Sequence, residues 1–317
     1  MKKIIKMIRN KWHKDLLEYQ KEIAQDLLIN QAWLLFQKHD IDYVIKNKTW
    51  FAEYTDYVDF QSDRNVKDFV KRSYLFEYWT PPYIKAYCSV CNTFSNMKSD
   101  YSKGFYTETY NCCGMGARMR GMYEYIVNNF EKNNRVYIQE VLTPSYKAYE
   151  NYFGDDNIIG SEFLGSDKNC GEYYYFNKHK IMHQDCTKLS FRDNSMDLII
   201  SQAVFEHIFN YKQALSEILR ILKNDGCLVL SIPFFYDSQN SVMLAKQEKS
   251  GEVIQIIEPP EIHGNPVDGS GALAYWHHGW EFIEAMKDVG YRDVKVHFYN
   301  NLYKGYLGLQ SLITGMK

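Results

Sequence analysis

The chain has almost no charge imbalance, no long apolar run and no internal repeat or low-complexity tract. Its 37 Lys and Arg stand against 39 Asp and Glu, so no overall field draws it to DNA, RNA or an anionic membrane. Nucleic acid is therefore not the expected partner. The first residues, MKKIIKMIRNKWHK, are basic and apolar but too short and interrupted for a signal peptide or a membrane span. They are expected to offer at most a weak contact with a membrane surface. An even set of cysteines is also missing: there are seven, at 88, 91, 112, 113, 170, 186 and 227. With no secretion signal, that count implies reduced thiols and a cytoplasmic protein. The 27 Tyr and 18 Phe are spread throughout and read as packing.

What is present is concentrated between Ile181 and Phe235. Leu198–Ser201 and Cys227–Ile232 are apolar runs, each introduced by a turn sequence, Arg192-Asp193-Asn194-Ser195 and Asn224-Asp225-Gly226. Between them Ala214, Leu215, Ile218, Leu219 and Leu222 fall at helical spacing, with Lys212, Glu217, Arg220 and Lys223 on the other face. Buried strands joined by such a helix imply a parallel sheet, and open parallel sheets bind ligands beyond the carboxyl ends of their strands. Asp185, Ser201, Gln202, Glu206 and His207 fall at those ends.

The whole chain reads as α/β, a doubly wound, mostly parallel sheet preceded by two smaller pieces. Residues 1–86 carry a helical pattern that ends at Trp79-Thr80-Pro81-Pro82, residues 87–121 hold a small cysteine-containing segment, and residues 122–317 alternate strand and helix signals. Strands are expected at 135–139, 157–162, 174–181, 198–201, 227–232 and 294–299, and helices near 115–133, 143–153, 211–223 and 278–288. Glu140, Glu162 and Asp185 each follow an apolar run. A nucleoside in such a crevice needs acceptors for its ribose hydroxyls and for its adenine amino group, which suit Glu162 and Asp185.

Asp185, Leu189, Phe191, Asp193, Ser195, Met196 and Asp197, then Val204-Phe205-Glu206-His207 and Arg220-Ile221-Leu222-Lys223 with Asp225-Gly226, resemble the class I methyltransferases that use S-adenosylmethionine. Gln139-Glu140 with Thr143-Pro144, Gly160-Ser161-Glu162, and the late His263-Gly264-Asn265-Pro266 with Gly279-Trp280 look like one bacterial branch of that family. The resemblance implies a Rossmann-like methyltransferase fold. It also implies cofactor contacts at Glu140, Thr143, Gly160, Glu162, Asp185, Cys186, Ser201 and Gln202.

One turn departs from the family. Glu140-Val141-Leu142-Thr143-Pro144-Ser145 contains no glycine, where most members use missing side chains to let backbone approach the cofactor. Either Glu140 and the Thr143 and Ser145 hydroxyls replace those contacts, or cofactor binding is weakened or lost. The expected activity is methyl transfer, by preference to oxygen, on a small molecule or glycan. The alternatives are a catalytically inactive methyltransferase-like subunit, an RNA methyltransferase and, ranked lower for want of a G-x-G-x-x-G turn, a nicotinamide-dependent oxidoreductase.

His207 and His263 are the candidate bases, since an imidazole titrates near the working pH of most enzymes. A structural role for His207 stands beside that one, and residues 236–280 read as loops over the acceptor pocket. The Cys88-x-x-Cys91 pair with Cys112-Cys113 resembles a zinc ribbon, implying a structural zinc. Neighbouring side chains on an extended backbone point to opposite faces, so Cys88, Cys91 and one of the later pair are the favoured ligands.

Overall fold

The computed structural model describes residues 50–64, 83–100, 108–110, 113–176, 179–248, 250–267 and 269–317. The helical pattern read over residues 1–49 and 65–82 lies outside them, as does Cys112. In chain order the elements are β1 (Trp50–Tyr54), α1 (Tyr57–Ser62), β2 (Tyr83–Cys88), β3 (Thr93–Asp100), β4 (Glu108–Tyr110), α2 (Ala117–Asn129), β5 (Val136–Ile138), α3 (Pro144–Phe153) and β6 (Ile158–Gly160). There follow β7 (Tyr173–Phe176), β8 (His179–Met182), β9 (Met196–Gln202), a one-turn helix at Phe205–His207, α4 (Tyr211–Ile221) and β10 (Leu222–Ser231). The last part holds the short strands β11 (Val242–Met243), β12 (Ala245–Gln247), β13 (Val253–Gln255), β14 (Ile262–His263), β15 (Ala272–Leu273) and β16 (Trp276–His277), then α5 (Glu281–Val289), β17 (Arg292–Asn301) and β18 (Tyr306–Met316).

Seven strands form one sheet in the order β1-β17-β18-β10-β9-β5-β6. β5 pairs in parallel with β6 and with β9, and β9 with β10. β18 runs antiparallel to both β10 and β17, and β1 antiparallel to β17. The chain leaves β5 outward to β6 and then returns to β9 on the other side. In doubly wound sheets ligands are held beyond the strand tips at such a reversal, which here falls at the ends of β5 and β9.

The two faces of the sheet follow the two-residue period of its strands. Leu198 and Ile200 of β9 pack with Met122 and Ile126 of α2 and Tyr149 and Phe153 of α3. Ile199 turns the other way, into a cluster with Leu215 and Ile218 of α4 and Phe282 and Met286 of α5. The apolar stripe read in α4 is thus the stripe that is buried.

The motif charges around α4 tie the chain together. Arg220 donates to the carbonyls of Leu189 and Phe191 at 2.8 Å each and to Asp193 at 2.7 Å. Lys223 pairs with Asp197, whose Oδ2 also accepts from the Arg135 amide at 2.8 Å. These bonds fix the loop that leads from Asp185 into β9.

Two expectations change. The strand read over 174–181 is a hairpin: Tyr173–Phe176 folds back on His179–Met182, with Phe176 opposite His179. A strand also stands at Trp50–Tyr54, and β18 adds a long strand that the sequence reading does not contain. The cysteine segment is a three-stranded antiparallel sheet, β2-β3-β4. Arg120, fully buried, anchors it: its guanidinium donates to Met115 O at 2.9 Å, Lys304 O at 3.1 Å and Gly305 O at 3.3 Å.

α2 lies close on β17 because Gly121 has no side chain. A Cβ there would sit 2.1 Å from the Tyr299 ring, whose hydroxyl is held by the Arg118 carbonyl at 3.1 Å. Alanine would favour the helix by about 1 kcal/mol, while overpacking a pinned ring costs roughly 1–3 kcal/mol, so the clash should prevail. Gly121→Ala is expected to lower the urea midpoint of unfolding; an unchanged or raised midpoint would contradict this packing.

Candidate active site

The tips of β5, β6 and β9 are joined by side chains that sequence reasoning placed there. Glu140, 6% exposed, accepts the Gln202 amide through Oε1, while its Oε2 has no hydrogen-bond partner. Glu162, 8% exposed, accepts the Leu142 amide at 2.9 Å through Oε1. Ser145 Oγ donates to Gln202 Oε1 at 2.6 Å, and the single proton of Thr143 Oγ1 is offered to Ser145 Oγ at 2.8 Å or to the Glu140 carbonyl at 3.1 Å.

That chain of bonds explains how the turn manages without glycine. Glu162 reaches across from β6 to satisfy the Leu142 amide, and the Thr143 and Ser145 hydroxyls are spent on neighbouring protein groups. Polar atoms left without partners and buried at the strand tips are Gln139 Oε1, Glu140 Oε2, Ser201 Oγ and Ser231 Oγ. Unpaired buried polar atoms are costly and mark places where a ligand would supply the missing bonds.

Gly160 serves packing: a Cβ there would lie 2.5 Å from the Tyr146 ring and 2.8 Å from Val141. Asp185 does not end a strand of the main sheet. It follows the β7–β8 hairpin, which meets the sheet through a single bridge between Glu162 and His183. Its Oδ1 accepts from the Thr187 amide at 2.9 Å and the Thr187 hydroxyl at 2.7 Å, and Oδ2 stands 3.9 Å from Lys188. Cys186 Sγ accepts from Gln139 Nε2 at 3.1 Å, which brings this loop beside the tip of β5.

Burial dominates the electrostatics. It pushes the Glu140 carboxyl well above the ordinary carboxylate range, with Glu162 and Glu206 adding repulsion. Glu162 is pushed up to about 7 by burial, against the pull of the Leu142 and Val141 amides. Burial also raises Glu206, opposed by His207, Arg118 and His263. Three carboxyls thus share one enclosed region.

The two candidate bases sit on the Phe205–His207 turn and on the loops that return over it. His207 Nδ1 bonds the Leu273 carbonyl at 2.8 Å, and the Tyr275 amide donates to the Glu206 carbonyl at 2.7 Å. The His207 and His263 rings meet edge to face with centroids 4.9 Å apart, and Glu206 lies against both. The structure therefore brings the two candidate bases together. Sequence reasoning missed Glu261, which bonds His263 at 2.8 Å and His277 at 2.7 Å. Its only signal was the Glu-x-His spacing in a loop. His278 is a packing residue, buried against Tyr211 and Phe282 and pushed down to about 4 by that burial.

In the cysteine segment Cys88, Cys91 and Cys113 put their sulfurs within 4.8 Å of one another. Cys88 Sγ is 3.9 Å from Cys113 Sγ and accepts from the Cys91 amide at 3.4 Å. Those bonds draw the Cys88 thiol below its ordinary range and push Cys113 above it.

A raised carboxyl gives a pH signature. Glu162 binds its proton more tightly folded than unfolded, so its ionisation costs nothing below the ordinary value of 4.5, costs progressively more towards 7 and reaches its full cost above that. Glu162→Gln keeps an acceptor for Leu142 and has no charge to bury. Its stability relative to the parent should rise by about 2 kcal/mol between pH 5 and pH 8 in chemical denaturation. A difference that is flat across that range would refute the assignment.

Residues 157–230 match the family model described as a methyltransferase domain. An uncharacterized protein of Methanocaldococcus jannaschii is 32% identical over 124 residues, 39% of this chain and 50% of that protein. The chain therefore spans about half the length of this curated relative. Among solved structures, 1,6-didemethyltoxoflavin-N1-methyltransferase of Burkholderia thailandensis, with 1,6-didemethyltoxoflavin and S-adenosylhomocysteine bound, aligns at 11% identity over 69% of this chain and 98% of its own, with a TM-score of 0.39. A SAM dependent methyltransferase of Archaeoglobus fulgidus aligns at 14% identity over 63% of this chain and 92% of its own, with a TM-score of 0.38. The likeness to a methyltransferase domain thus lies in residues 157–230, the part that holds Glu162, Asp185, Gln202, Glu206 and His207.

Proposed function

We propose that this protein transfers a methyl group from S-adenosylmethionine to an oxygen of a small molecule or glycan. The observation that carries the reading is the buried carboxyl set at the strand tips: among the described residues Glu140 Oε2 has no partner, and the charges of Glu162 and Glu206 both oppose ionisation of Glu140. A region with excess buried acceptors and few cations suits a ligand that brings positive charge and hydroxyl donors. S-adenosylmethionine carries a sulfonium, an ammonium and a ribose diol, so the residues present fit it, and when bound it supplies an electrophilic methyl.

The chain's own groups have separable tasks. Glu162 accepts from the ribose hydroxyls, Asp185 Oδ2 from the adenine amino group, and Glu140 Oε2 with Gln202 holds the amino-acid end. Ser201, with an unbonded hydroxyl, lines the same edge. Thr143, Gly160 and Cys186 shape the walls through the contacts described above. His207 or His263 takes the acceptor's proton, with Glu206 between them to stabilise the imidazolium. Most of the rate would come from holding acceptor oxygen and methyl in line. A polar lining favours this reading over the inactive-subunit alternative, which expects apolar side chains filling the crevice.

Two further elements complete the proposal. Cys88, Cys91 and Cys113 hold a structural zinc that braces the antiparallel sheet, with Cys112 the remaining sequence candidate. Cys170, Cys186 and Cys227, which stand as thiols, fit a reducing compartment, and we place the protein in the cytoplasm. Among the described residues no helix is long and apolar enough to cross a membrane.

Calorimetric titration with S-adenosylhomocysteine tests the cofactor site. Binding is expected, weakened roughly tenfold or more in Glu162→Ala and in Asp185→Ala through loss of charged hydrogen bonds worth about 1.5–3 kcal/mol. Absence of heat at high protein concentration, or unchanged affinity in both variants, would overturn it. Metal content of protein purified without chelator should show zinc that falls in Cys88→Ser; equal zinc in both would remove the ribbon.

A further inference from the structure

We propose that Glu206, His207 and His263 form a binding site for a divalent transition-metal cation at the acceptor side of the active site. One observation is geometric. Glu206 Oε1 lies 3.9 Å from His207 Nε2 and 3.8 Å from His263 Nδ1, and all three atoms fall within 4.8 Å of one another. Ligands about 2.1 Å from a common ion sit about 3.0–3.6 Å apart, so each imidazole needs to close on the carboxylate by only a few tenths of an ångström, and the two imidazoles on one another by roughly 1.2 Å at most, to seat a cation.

A second observation is independent of those distances. Each imidazole already has its outward nitrogen engaged by an acceptor, His207 Nδ1 by the Leu273 carbonyl and His263 Nε2 by Glu261, both at 2.8 Å. A carbonyl can only accept, so His207 carries its proton on Nδ1 and presents a lone pair at Nε2. The Glu261 bond does the same for His263, leaving Nδ1 bare. This is the outer-sphere arrangement that fixes tautomer and ring orientation in histidine metal sites. Glu261 is held in turn by His277 at 2.7 Å, and His277 stacks on Phe235 at 4.3 Å.

The third observation is Glu206 itself. Its side chain is 1% exposed, and among the described residues neither oxygen has a hydrogen-bond partner. A carboxylate taken out of water without donors is unstable unless a proton or a cation joins it. Two neutral imidazoles and one carboxylate suit zinc, iron, cobalt or nickel, whereas magnesium and calcium prefer oxygen donors. Three protein ligands also leave coordination positions open, as in catalytic metal sites. On the methyl-transfer reading, an acceptor oxygen taking such a position would be acidified by the ion, so the role of base proposed above for His207 or His263 belongs to the cation-free protein and passes to the ion when it is bound. The cation's presence does not depend on that reading.

Cobalt(II) titration of the chelator-treated full chain, followed by visible absorption, separates this site from the cysteine cluster. Nitrogen and oxygen ligands give weak d–d bands, and thiolates add intense charge-transfer bands at shorter wavelength. Bands of the first kind are expected, with affinity lowered tenfold or more in Glu206→Gln and in His263→Gln, while near-ultraviolet circular dichroism stays that of the parent. Should Glu206→Gln fail to fold, His263→Gln, which alters a half-buried loop residue, carries the test alone. Spectra showing thiolate bands only, or unchanged affinity in the folded variants, would overturn the proposal. S-adenosylhomocysteine titrated into the same protein reads the nucleoside site separately, so either proposal can fail without the other.

Discussion

The structure turns on one buried carboxyl. Glu140 stands at the end of β5 and accepts the backbone amide of Gln202 at the end of β9, closing the sheet at the point where its winding reverses. One oxygen is thereby spent on the fold and the other is left unpaired. Nothing apolar could replace Glu140 without freeing the Gln202 amide. Its second oxygen leaves a buried acceptor at the same point, so a structural requirement and the binding role we propose meet in a single side chain.

Around that point, the polar positions that stand out in the sequence divide into two groups. Asp193, Asp197, Arg220 and Lys223 belong to the dense family pattern, yet all are consumed in bonds that hold the loop before β9 to α4 and β10. Glu140, Glu162, Glu206 and the histidines lie on the crevice side. Motif density therefore reports scaffold as much as chemistry. The glycine-free turn shows the same economy in reverse: where relatives open space with missing side chains, this chain uses the Glu162 carboxylate to hold the Leu142 amide.

The parallel half was legible because its signals are local. Helical periodicity gave α2, α3, α4 and α5 to within a few residues, and apolar runs gave β5, β6, β9, β10 and β17. Tyr306–Met316 was not legible because Gly308, Gln310, Ser311 and Gly315 interrupt any apolar alternation. It forms a strand only because β10 and β17 flank it on both sides. The hairpin at Tyr173–Met182 looked like one strand since aromatic and aliphatic residues continue on both sides of a two-residue connection. In the site, the carboxylates were visible as strand-end acids. The Glu206, His207 and His263 cluster was not, because it depends on loops from 261–278 folding back on the turn after β9, a tertiary event with no periodic signature.

Because burial raises the Glu140 carboxyl well above the ordinary carboxylate range and a cationic ligand would oppose that shift, its protonation state on binding is the most direct readout of the account. Infrared difference spectra on adding S-adenosylmethionine, with carbon-13 labelled glutamate and Glu140→Gln as reference, would report it. The account predicts loss of a protonated carboxyl band that is absent from the variant. A difference spectrum with no carboxyl change, or one identical in Glu140→Gln, would contradict it.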